Sequence, residues 1–132
     1  MDPRTEAHLQ VVRRNRDLAR SLCNQDHLQP DPWEWVVVMA FYAAVHAVNA
    51  YLWERYAVSP KIHGERTYGV HHDAAIQSCA FSYDVLRNVG YHARYSEGFA
   101  ISEQDARDFL HVEFRAVEAT EMQALGQPAP NW

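Results

Sequence analysis

The 132-residue chain is 48% hydrophobic and 12% aromatic, which excludes a disordered or fibrous chain and fits a single globular domain over residues 1–132. Its net charge of −5 argues against a broadly basic nucleic-acid-binding surface. The start MDPRTEAHLQ has no apolar leader, the cysteines Cys23 and Cys79 show no CxxC spacing, and no window approaches 18 apolar residues without Trp, Tyr, His or Asn. The expectation is a cytoplasmic protein with reduced thiols and no membrane span.

The charge is unevenly spread. Residues 1–20 hold five arginines against three acids, and residues 97–132 hold seven acids against two arginines. The first predicted helix covers about 4–24, with Thr5 as its N-cap, Leu9, Val11, Val12, Leu18, Ala19 and Leu22 on the apolar side and the arginines on a solvated face. Asp26–Pro32 reads as a connector, because QPDP contains two prolines. Asp31 is then the expected cap of a second helix over 32–56, with Pro32 in its first turn. In that helix Trp35, Met39, Tyr42, His46, Asn49, Trp53 and Tyr56 share one stripe, and Val37, Phe41, Val45, Val48 and Leu52 share another. A helix so apolar must be buried, and its interior His46 and Asn49 need partners; Tyr83 or Asn49 is the expected one for His46.

Pro60, Gly64 and Gly69 break the period after Tyr56, so 57–72 reads as a long functional loop carrying His63, Arg66, His71 and His72. A third helix is predicted over 73–96, with Ile76, Ala80, Tyr83, Arg87, Gly90 and Arg94 on one side. A fourth covers 102–125, capped by Ser102, with Ala106, Leu110, Phe114 and Val117 inward. The tail PAPNW reads as frayed. No alternating strand pattern occurs, so the fold class is all-α, a four-to-five-helix antiparallel bundle.

The run FYAAVHAVNAYL, the loop element HGER and the segment YDVLRNVGYHARY together resemble the HEPN domain superfamily over about residues 33–114. That resemblance implies a HEPN-like bundle, a homodimer, and a metal-independent endoribonuclease of a toxin–antitoxin or phage-defence system. It also implies RNA as substrate and a cognate antitoxin or effector protein as partner. Arg87-Asn88-Val89-Gly90-Tyr91-His92 is similar to the superfamily's Arg-x4–6-His motif. The resemblance makes Arg87 the phosphate ligand, His92 the general acid or base, and Asn88 the residue that positions them. The chemistry is consistent, since an imidazole exchanges protons near neutral pH and a guanidinium fork matches phosphoryl oxygens. Five residues span about 140° of an ideal helix, so Arg87 and His92 converge only if Gly90 permits a distortion or a second copy completes the site.

A rival pocket in the same fold comprises His46, His63, Arg66, Tyr83, Arg94 and Tyr95, with His46 as base. Two further readings stand beside catalysis. One is a non-catalytic module for dimerisation, partner or nucleotide binding, consistent with the aromatic stripe of Trp35, Tyr42, Trp53 and Tyr56. The other is a His-ligated metal-binding bundle, similar to DinB-like folds, drawing on His46, His63 and His72. The ligand spacing gives that reading no support, and neither a metal nor another cofactor is expected.

Overall fold

Trp33–Tyr56 form α2, the helix around which the others assemble, in a computed structural model that describes residues 1–25 and 31–132. All regular structure among the described residues is helical. The helices α1 (Pro3–Cys23), α3 (His63–His72), α4 (Ala80–Tyr95), α5 (Glu103–Asp108) and α6 (Arg115–Ala124) all touch α2, as does the π-helical segment Phe109–Phe114 that joins α5 to α6. Val36, Val37, Ala40, Phe41, Ala44 and Val48 have no exposed surface. An 18-residue window of α2 has a mean hydropathy of 1.6, enough by length and composition for a membrane-crossing helix despite its Trp, Tyr, His and Asn. However, 72% of that window is buried in the protein, so packing against its neighbours accounts for the apolarity.

α1 runs antiparallel to α2, and polar bonds tie the start of one to the end of the other. The Asp2 amide and the Thr5 hydroxyl donate to Glu54 at 3.2 and 2.6 Å, and the Trp53 indole N–H donates to Asp2 at 3.0 Å. The predicted cap is therefore displaced. Asp2 is the N-cap, accepting from the Arg4 amide at 2.8 Å with Pro3 at the first helical position, while Thr5 is fully buried. Pro32, not Asp31, occupies the N-cap of α2, with no side-chain cap bond. Most of the predicted 26–32 connector lies outside the described residues. Nor are the α1 arginines all solvated: Arg16 bonds the buried Glu118 at 3.0 Å.

The largest correction concerns residues 57–72. Residues 63–72 form α3 rather than a loop. Its glycines read as breakers, but Gly69 sits where an added Cβ would lie 3.2 Å from a Leu52 methyl, so its absent side chain permits close packing on α2. The chain then turns at Asp73, whose carboxylate accepts the Ala75 amide and the hydroxyls of Tyr51 and Tyr56. α4 begins only at Ala80, after a 3-10 turn over Gln77–Cys79. Ser102 does cap α5, accepting from the Asp105 amide at 3.1 Å, and Ala106, Leu110, Phe114 and Val117 are fully buried. The π-helical segment Phe109–Phe114 carries Leu110 and Phe114 of that row.

The tail is not frayed. The Trp132 ring lies 5.9 Å from Phe114 and 4.4 Å from the Arg115 guanidinium, and its N–H donates to Glu118 at 2.6 Å. Both cysteines are free and buried. Cys79 contacts Glu121, which is fully buried with Oε2 unpartnered. Burial, then the nearby Asp73 charge, raises the Glu121 pKa well above the usual carboxylate range. A raised folded-state pKa means stability that is complete below the unfolded value and is lost as pH rises through the folded one. Glu121→Gln is therefore expected to be the more stable protein at pH 8, by about 1 kcal/mol, with the gap closing by pH 5. Urea unfolding at the two pH values checks it; equal stability at pH 8 refutes it.

Candidate functional site

α1, α2, α3 and α4 bring together polar side chains that the sequence scatters from His8 to Arg94. On α3, Arg66 is only 6% exposed. Its Nε donates to Asn49 Oδ1 at 2.8 Å, and its NH1 lies 3.1 Å from His63 Nδ1. A guanidinium only donates, so His63 accepts at Nδ1 and carries its proton on Nε2. Tyr83 packs beneath, fully buried and close enough to Arg66 and Arg87 to feel both charges. Burial raises its pKa.

Two more arginines approach the same point. Arg87 of α4 donates to Thr67 of α3 at 3.2 Å. Arg94 donates to the Tyr42 hydroxyl at 2.6 Å and lies 5.7 Å from the Phe41 ring, which in turn is 5.7 Å from His63. Burial, then the charges of Arg66, Arg87 and Arg94 in that order, lowers the His63 pKa. Among the described residues none of these three arginines forms an ion pair. A chain with net charge −5 has thus gathered cations, one of them buried, none ion-paired among the described residues, although Asp84 lines the cavity beside Arg87. Burying an uncompensated charge is costly, and an anion bound beside Arg66 would offset that cost.

His46 finds its partner on α1, and not in Tyr83 or Asn49. His8 Nδ1 and His46 Nδ1 are 2.9 Å apart, which is a hydrogen bond only if one ring donates and the other accepts. The donor ring keeps a free lone pair on Nε2 and is a base. Burial, then the neighbouring His8 ring and the Arg66 and Arg14 charges, brings the His46 pKa down to about 4; burial is also the main cause of the lowered His8 value. Both rings are neutral at pH 7. His8 was missed in the sequence, although its place one turn after Thr5 on the buried side of α1 was the available signal.

The motif residues on α4 part company. Arg87, Asn88 and Tyr91 line a cavity of about 330 Å³ with Thr67 and Asp84. His92 instead bonds Ser96 Oγ at 2.7 Å and stacks on Phe99, with no hydrogen bond to Arg87. α4 is a regular α-helix through Gly90, so the separation of about 140° stands. Gly90 serves packing and not distortion, since a Cβ there would lie 3.1 Å from Phe41. Of the rival set, His63, Arg66, Tyr83 and Arg94 converge, and His46 stands one turn from Asn49. Tyr95 is exposed, stacking its ring on Arg94 at 4.9 Å.

His46, His63 and His72 are not gathered for a metal: His72 bonds the Tyr68 carbonyl oxygen at 2.9 Å, and no group of three or more His, Cys, Asp or Glu ligands forms among the described residues. The chain matches no protein-family model, no curated protein and no solved structure.

Proposed function

We propose that this chain is a HEPN-like, metal-independent endoribonuclease whose site is the α1–α4 polar cluster rather than the Arg87/His92 pair. The observation that carries the reading is the buried Arg66 without a carboxylate, bonded to His63 and flanked by Arg87 and Arg94. In this reading the arginines hold the phosphoryl oxygens of an RNA diester and stabilise the charge that develops on them. The donor imidazole of the His8–His46 pair takes the 2′-hydroxyl proton, and its partner shares the resulting charge. His63, neutral, offers its Nε2–H as a hydrogen bond to a phosphoryl oxygen, and the proton gained by the His8–His46 pair passes on to the leaving 5′-oxygen. Asn49 fixes Arg66, and Arg87 serves both this site and the motif.

Purified protein incubated with RNA in excess EDTA tests the proposal. Cleavage should persist in EDTA, disappear in His46→Ala and in Arg87→Ala, and survive in His92→Ala. Undiminished cleavage by the first two variants removes the assignment, and loss in His92→Ala returns the site to the motif pair. A non-catalytic binding module is the second reading, favoured by the exposed rings of Trp35 (62%) and Phe81 (76%). It predicts RNA-independent self-association or partner capture that Trp35→Ser weakens, with no cleavage under any condition.

A further inference from the structure

The cavity beside the phosphate site is built from one stripe of α4. Asp84, Arg87 and Asn88, and Tyr91 follow one another at i, i+3/i+4 and i+7, and Thr67 of α3 closes the far wall. At about 330 Å³ it has room for a single planar ring system. Three of its walls have the chemistry that reads a nucleobase. Tyr91 is 55% exposed and offers a stacking surface. Asn88 is exposed and carries both an amide donor and an acceptor. Asp84 is held in place by His71, whose Nε2 lies 2.6 Å from Asp84 Oδ2, while Oδ1 makes no hydrogen bond among the described residues. A carboxylate only accepts, so Asp84 selects a ring edge that donates, and an exocyclic amine is the strongest such edge.

We infer that this cavity is a base-specific subsite that takes an adenine, cytosine or guanine through its exocyclic amine and disfavours uracil. The inference rests on the ribonuclease reading above, and Arg87 is the shared wall that places the base next to the bound phosphate. A carboxylate near a phosphate would ordinarily repel it. Here Arg87 stands one turn away and offsets the repulsion, while His71 holds Asp84 by a hydrogen bond on the other side.

The test is binding of 2′-O-methyl adenosine, cytidine and uridine hexanucleotides, which lack the attacking hydroxyl and are not cleaved, to the whole protein. Adenosine and cytidine hexamers should bind about tenfold more tightly than uridine. Asp84→Ala should collapse that ratio towards one, and Tyr91→Ala should weaken adenosine binding about tenfold. Thermal unfolding of each variant establishes that it is folded, and Asp84→Glu, which keeps the acceptor, should keep a preference. Equal affinity for the three hexamers in the wild type, or a ratio unchanged in folded Asp84→Ala, overturns the subsite. If binding is equal but lost in Arg66→Met, the phosphate site survives and only the base subsite falls. Absence of binding to any hexamer overturns both.

Discussion

Arg66→Met is expected to weaken RNA binding by at least about 100-fold while leaving the free energy of unfolding of the unliganded protein within about 1 kcal/mol of wild type. The two halves of that expectation have one cause. Arg66 is a buried cation whose partners, Asn49 and His63, are neutral, so its hydrogen bonds only partly offset the cost of taking the charge out of water. Methionine has a similar reach and no charge, and removing the cation relieves about as much as the lost bonds contributed. An arginine present for the fold would behave in the opposite way, losing about 3 kcal/mol on substitution and changing RNA affinity little. Fluorescence anisotropy with a labelled, non-cleavable 2′-O-methyl RNA and urea unfolding of the same preparations separate the two cases. Unchanged affinity with a destabilised fold would sink the anion site.

The second large effect is on pH. His46 and His8 are held neutral in the fold, with His46 brought from 6.5 down to about 4, while in the unfolded chain both titrate as ordinary imidazoles. A depressed folded-state pKa means that the unfolded chain binds the extra proton first as pH falls. The stability from this pair is therefore complete above about pH 6.5 and is lost progressively towards pH 4. For His46 the full difference corresponds to about 3 kcal/mol at 1.36 kcal/mol per pH unit, and screening of a half-buried ring reduces it to about 2. Asp2 and Asp73, held below their usual values by hydrogen bonds, lose their contribution only at lower pH. Thermal unfolding from pH 7 to 4.5 should show the decline, and His46→Leu should flatten it. A wild-type profile level over that range would mean that burial does not hold the two rings neutral.

The same residues show how far the sequence could be read. The apolar run from Trp33 to Tyr56 announces a central helix, since a chain of this length must bury such a surface. The inward row Ala106, Leu110, Phe114 and Val117, all fully buried, was legible from its spacing. The HGER element was not. Glycine is a breaker on average, and only the neighbouring Leu52 reveals that Gly69 is a contact point inside α3. The arginines of the α4 stripe and the value of His63 and Arg66 as polar residues were visible, whereas the burial of Arg66 was not.

The sequence by itself determined the helical class, the central position of α2 and the residue types available for proton transfer and anion binding. Periodicity and composition act locally, so they carry that information directly. The tertiary structure decided which of those residues meet. It placed His8 against His46, set Arg66 between Asn49 and His63, and turned His92 away from Arg87. Those pairings depend on the relative placement of helices packed through a shared core, and no stretch of the chain encodes that placement alone.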